Sequence, residues 1–393
     1  MDPHAQFCHN SDCPARGQLG LDNIRIHSRQ HRRYRCMTCD RTFTETRDTP
    51  LYRLKKPVEL VTIVVTLLCH GCPLQAIVAA FGLDERTVAA WRNRAGRHGQ
   101  RFHEHHVLNG QVELGHVQAD ELFVKAVARR LWMAMAMAVP SRLWLGGVIS
   151  PRRDLSLILT VVWMVRRAAR SLAFLVCVDG LASYVTAFAR VFRDPVRTGR
   201  AGRPRLVPTA GLLLGQVIKH HAGRRLVGIT RRVVRGSAGA IAAVLAATGT
   251  GTGINTAYIE RFNATFRGAL SPLTRRGRAI ARSVDALTAG MYLVGCAYNF
   301  CRVHDSLRIA AGPGQRRRWQ ERTPAMAAGL TDHCWTMREW LSHPIPLLLW
   351  VPPKRRGRPP KRSQEAMASP RFPVVLPRSG RWQVSANSGR PTA

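Results

Sequence analysis

Acidic side chains are the scarce component of this chain: 23 Asp and Glu stand against 60 Lys and Arg among 393 residues. The formal net charge of +37 is too large an excess for an ordinary solvated surface. It calls for a polyanionic partner, of which nucleic acid is the commonest. Long apolar runs are missing as well. Stretches such as residues 157–165 fall well short of the ~18 residues that a bilayer span demands, so no membrane segment is expected. The opening residues, MDPHAQFCHN, have neither a basic start nor an apolar stretch, hence no secretory signal. The expectation is a cytoplasmic protein with reduced thiols, long enough for two or three domains.

Four of the ten cysteines are spaced as Cys8-x4-Cys13 and Cys36-x2-Cys39, with 22 residues between the pairs. Two thiolate pairs on tight turns suit tetrahedral Zn²⁺. Ordinary buried thiols are the alternative, but so small a module, with few large apolar residues, needs a staple to fold. Residues 23–34 (NIRIHSRQHRRY) alternate as hairpin strands and present Arg25, Arg29, Arg32 and Arg33, a face suited to phosphates. Cys69-His-Gly-Cys72 lacks a matching pair, and core packing with a helix stop at Gly71 explains it better.

Pro57 opens a largely buried helix, residues 57–70. A helix-turn-helix follows: residues 74–81, a turn at Gly82-Leu83, and a second helix over residues 85–94 capped by Asp84. Val88 and Trp91 are spaced for packing, while Arg86, Thr87, Arg92 and Arg94 point outward, as a helix entering a DNA major groove requires. A generic helical pair is the alternative. The His-rich residues 97–107 read as a polar connector rather than a metal site.

From Gly115 the periodicity becomes alternating. Residues 116–124, 131–139 and 143–149 predict three antiparallel strands, residues 154–170 a crossover helix, and residues 173–178 a strand buried on both faces that ends at Asp179. That order is the ribonuclease H-like layout, with Asp120 and Asp179 as neighbours. On residues 255–267, Ile259, Phe262 and Phe266 form an apolar stripe while Glu260, Asn263 and Arg267 share another face. Between Asp179 and Glu260 lie 80 residues, among them a basic loop at 193–205 and strand-like segments at 212–218 and 226–234.

Three carboxylates, Asp120, Asp179 and Glu260, suit a cage for two Mg²⁺, or Mn²⁺, as in-line phosphoryl transfer requires. Each alone could be a cap or a salt-bridge partner. Glu121 rivals Asp120, because adjacent strand residues point to opposite faces and the sequence does not say which faces the site.

These motifs resemble those of bacterial insertion-sequence transposases of the DDE class with an amino-terminal zinc ribbon and helix-turn-helix. The resemblance spans residues 8–308 and is carried by YRCMTCDRTF, PLQAIVAAFGLDERTVAAW, QADEL, VCVDGLASY, YIERFN and YNFCRVHDSLR. It implies a zinc-dependent module that recognises element ends, and a Mg²⁺-dependent domain that nicks the ends and transfers the 3′ hydroxyls to target DNA. The catalytic triad carries over onto Asp120, Asp179 and Glu260. Where relatives usually read RPH this chain has Arg302-Val303-His304, so a Pro is replaced. Arg302, His304 and Arg308 are then phosphate contacts, and Arg267 a further DNA contact.

The tail contains Arg356-Gly357-Arg358-Pro359, which resembles an AT-hook, and Gly202-Arg203-Pro204-Arg205 repeats such a core. A basic tail without groove preference is the alternative. The expected organisation is an α/β, or α+β multidomain, chain: a zinc ribbon at 1–50, a helix-turn-helix at 51–100, a linker at 101–114, a ribonuclease H-like catalytic domain at 115–310, a helical extension at 311–352 and a basic disordered tail at 353–393. Pairing two double-stranded DNA ends argues for a homodimer or higher oligomer. A DNA-binding regulator would leave the three acids unexplained, a nuclease would cut without joining, and a decayed element would bind without acting.

Overall fold

The computed structural model describes residues 1–352 other than 128, 198, 200, 201, 224, 276 and 313–316. The AT-hook-like Arg356 and Arg358, with the whole of 353–393, lie outside the described residues.

At the amino terminus, β1 (Ile24–Ser28), β2 (Arg33–Cys36) and β3 (Thr42–Thr44) form an antiparallel sheet in that order. Period-two alternation turns Ile24, Tyr34 and Phe43 onto Cys8 and Cys13 in a small core, and leaves Arg25 and Arg35 exposed. Three helices follow: α1 (Val58–Cys69), α2 (Leu74–Phe81) and α3 (Glu85–His103). Gly71 stops α1 with φ +82°, and a Cβ there would stand 2.4 Å from the Gly268 carbonyl oxygen. Asp84 caps α3 by accepting from the Arg86 and Thr87 amides at 2.9 and 3.2 Å.

The large sheet begins with the meander β4 (His116–Ala126), β5 (Arg129–Ala138) and β6 (Leu143–Ser150). Then come α4 (Leu155–Ala168), β7 (Leu175–Asp179), α5 (Ala182–Val191), a hairpin of β8 (Arg193–Val196) and β9 (Arg205–Pro208), and the long pair β10 (Leu213–Ala222) and β11 (Arg225–Arg235). The strand order is β11-β10-β7-β4-β5-β6, with β7 parallel to both β4 and β10 and the other pairings antiparallel. Helices α6 (Ala238–Thr248), α7 (Ala257–Ala269) and α8 (Val284–Cys296) follow. After them come β12 (Ile309–Ala310), β13 (Trp319–Gln320), α9 (Pro324–Ala327) and α10 (Met337–Ser342).

Strand β5 shows how the sequence divides the layers. Its alternation of Met and Ala sends Met133, Met135 and Met137 toward α7 and α8, and Ala134, Ala136 and Ala138 toward α4. The chain is therefore α/β, a mixed sheet covered on both faces by helices.

Three expectations need correction. Residues 97–107 are not a connector, nor are residues 101–114 simply a linker: α3 runs unbroken to His103 and continues as a π-turn over Glu104–Leu108. Burial of His98, Phe102 and His103 holds it there, and the missing Cβ of Gly96 lets α8 close in, since one would stand 2.3 Å from the Ala289 carbonyl oxygen. The basic segment 193–205 is not wholly loop, because strands β8 and β9 bound it. Among the described residues, the extension at 311–352 is only sparsely helical, and Trp335 and Trp340 anchor it in the main core.

Candidate functional site

A cleft of about 840 Å³ opens where the carboxyl end of β7, the middle of β4, the outer half of β10 and helix α7 meet. Backbone register brings its acids together: Gln118 of β4 pairs with Cys177 of β7, so Asp120 and Asp179, each two residues further on, share one face. Gln118 is fully buried and clamps α7 to this face. Its amide donates to the Asn255 carbonyl at 2.8 Å, and its Oε1 accepts from the Ile259 amide at 3.0 Å. That clamp, with Ile259, Phe262 and Phe266 buried beneath, presents Glu260, Asn263 and Arg267 to the cleft.

Carboxylate oxygens of Asp120, Glu121 and Asp179 lie within 4.8 Å of one another. Glu260 lines the same cleft but outside that close group, where it accepts from Lys219 Nζ at 2.5 Å and from Thr256 Oγ1 at 2.8 Å. Burial, reinforced by the charges of Glu121 and Asp179, pushes Asp120 up to about 7. Glu260 goes the other way: burial raises it, but Lys219 and Thr256 outweigh that and hold it below the usual carboxylate range. Asn263 Nδ2 donates to Asp120 Oδ2 at 2.7 Å and fixes that carboxylate's rotamer.

Asp120 and Glu121 differ in what they touch. Glu121 does not line the cleft, and its side chain, 1 % exposed, accepts from Arg153 and from Tyr184 Oη at 2.9 Å while staying within 4.8 Å of the Asp120 and Asp179 carboxylates. Arg153 also reaches Asp179 at 3.5 Å. Glu121 is thus the internal counter-charge of Arg153, while Asp120 opens on the cleft.

Of the basic residues singled out from sequence, Arg267 lies in the cleft, where burial and then Arg275 lower its pKa. Arg86 is exposed on the first turn of α3, and Thr87 is half-buried. Arg92 is half-buried in a separate groove beside Ala89 and Pro272, not turned freely outward, and burial lowers its pKa. Arg94 is likewise no free contact, because its guanidinium donates to the Tyr52 carbonyl. Arg302 is also committed inward, to the carbonyl of Cys69 at the end of α1. His304 pairs with Ser306 at 3.0 Å, and Arg308 stacks on Trp319. None of these last three lines the cleft. Arg203 is exposed in the β8–β9 loop and Arg205 on β9. Sequence reasoning missed Arg153, Lys219 and Tyr184. Only Asn263 had a legible signal, its place one turn after Glu260.

A second cluster lies in the amino-terminal sheet. Sγ atoms of Cys8 and Cys39 are 3.6 Å apart, those of Cys13 and Cys36 4.0 Å, and all four lie within 4.8 Å of one another. Zn–S bonds of about 2.3 Å give a tetrahedron with edges near 3.8 Å, so these four sulfurs have the spacing to hold one Zn²⁺. Among the described residues, no helix is long and apolar enough to cross a membrane. Compared with protein-family models and with curated proteins, the chain matches none.

Proposed function

We propose that this chain is a DNA transposase of the DDE class, a divalent-metal-dependent polynucleotidyl transferase with a ribonuclease H-like catalytic domain and a structural zinc module. One observation carries the reading. Asp120 and Asp179 project side by side from adjacent parallel strands, and Glu260 faces them from α7 across one cleft, in a chain with a net charge of +37. The strand order supports the ribonuclease H-like assignment: a three-stranded meander, then two strands added parallel to its first.

Asp120, Asp179 and Glu260 are the residues that would hold Mg²⁺ or Mn²⁺. Bound there, the metal supplies activation of the attacking oxygen and charge neutralisation on the leaving one. Asn263 aims Asp120, Gln118 fixes the helix that carries Glu260, and Arg267 and Arg275 supply positive charge for the DNA backbone. Cys8, Cys13, Cys36 and Cys39 would hold Zn²⁺, and the exposed start of α3 with Arg86 would meet the duplex of an element end. Joining two ends argues for action as a homodimer or larger assembly.

The test pairs two substrates. Asp120→Asn should abolish Mg²⁺-dependent nicking of DNA carrying the ends of the gene's own flanking sequence. The unaltered protein, given a pre-cut end with a free 3′ hydroxyl, should join it to a target plasmid. Nicking without joining would make it a nuclease; DNA binding unaffected by the loss of Asp120, with neither reaction in the unaltered protein, would make it a regulator.

A further inference from the structure

Strand β10 is hydrogen-bonded to β7 only over Leu213–Val217, so beyond Val217 the β10–β11 pair continues as a free two-stranded ribbon. Two residues of this ribbon, Lys219 and His221, line the acidic cleft. Their cross-strand partners are Ile229 and Leu226. Directly opposed residues share a face, so Ile229 and Leu226, outside the cleft itself, continue the ribbon face that Lys219 and His221 present to it, with a bulge between the two pairs. They are 44 % and 46 % exposed, and the neighbouring Val227 is 61 % exposed. Large apolar side chains in the open beside a polar cleft mark a contact surface.

Charge decides what covers them. Self-pairing of β11 with a second copy would bring together two strands that each carry Arg225, Arg231, Arg232 and Arg235. Like charges along an edge oppose that pairing. A polyanion meets no such penalty, and nucleic acid has an apolar part of its own, the faces of its bases and sugars. In a paired duplex the base faces are stacked and hidden, and only an unpaired nucleotide offers one to a wall beside the reacting phosphate.

Resting on the transposase reading, we infer that the outer β10–β11 ribbon is a holder for an unpaired nucleotide next to the phosphate in the cleft. Lys219 and His221 take the backbone, and Leu226 and Ile229 take the exposed base face. The protein therefore prefers DNA that is frayed or single-stranded beside the reacting bond.

The experiment is fluorescence anisotropy of the full chain in Ca²⁺, with two labelled 20-base-pair duplexes, one blunt and one with a four-nucleotide 3′ oligo-dT overhang. The overhang duplex should bind about tenfold tighter. The Leu226→Ser/Ile229→Ser double variant should bind the two equally, at the blunt-end affinity of the unaltered protein. A conservative Leu226→Met/Ile229→Val variant should keep the preference, which separates loss of apolar contact from damage to the ribbon. Equal binding of both duplexes by the unaltered protein, or a preference that survives the Ser variant, would overturn the ribbon assignment and leave the transposase reading standing. Failure to bind either duplex would instead remove the DNA reading beneath it.

Discussion

Lys219 Nζ stands 2.5 Å from Glu260 Oε1, so an ammonium of the protein itself holds the carboxylate that faces Asp120 and Asp179 across the cleft. Any dication seeking Glu260 must displace it. Both side chains are more than two-fifths exposed, so the pair is weak. Lys219→Ala should therefore tighten Mn²⁺ binding by about two- to fivefold, read by electron paramagnetic resonance titration. Unchanged or weaker binding would show that Lys219 does not compete.

Asp120 predicts a pH dependence with a definite sign. Its folded-state pKa of about 7 lies above the ordinary aspartate value of 3.8, so between those limits the native state keeps a proton that the unfolded chain has released. Without metal, stability should fall as pH rises through that window, by about 1.4 kcal/mol per pH unit, and level off above it. Asp120→Asn should raise the melting temperature at pH 8 and give no gain at pH 4. A gain of equal size at both would refute the assignment of the shift.

Removing Arg153 strands a buried charge. With Glu121 enclosed and left only the Tyr184 hydroxyl, Arg153→Ala should cost about 3 kcal/mol in urea unfolding at pH 7, shrinking in acid as Glu121 takes up a proton. Glu121, already engaged by Arg153 and Tyr184, should matter less to the metal than Asp120: Glu121→Gln should weaken Mn²⁺ binding by less than Asp120→Asn, which should reduce it by at least about tenfold.

The four-sulfur cluster predicts one zinc per chain by elemental analysis. Burial raises the Cys8 and Cys13 thiols, so metal binding must release protons and weaken in acid. Cys36→Ser should lose the zinc and expose Tyr34 and Phe43 to proteolysis near residues 24–44, while the sheet that carries Asp120 stays protected.

Elements with one strong period were legible in the sequence. The Met and Ala alternation of β5, the acid-capped α4 and the apolar run of β7 made two strands, a helix and the closeness of Asp120 to Asp179 legible. Residues 97–107 misled because their polarity suggests solvent, whereas His98 Nε2 donates to the Trp340 carbonyl at 2.9 Å, a partner 242 positions away. Arg94 and Arg302 misled for a related reason: a guanidinium looks the same in sequence whether it faces DNA or ties down a backbone carbonyl. Lys219 and Arg153 were invisible because nothing local marks them, and only strand register and the start of α4 bring them to the acids.

The unbroken course of α3 has a mechanical result. At about 1.5 Å per residue its 19 residues make a rod roughly 28 Å long, with Arg86 at one tip and His103, packed on Trp144 of β6, at the other. Since Gly96 is locked against Ala289 midway, the rod cannot swivel on its own. Whatever molecule seats on the Arg86 tip is presented to the acidic cleft at a single fixed bearing, and tilting it means tilting the whole sheet.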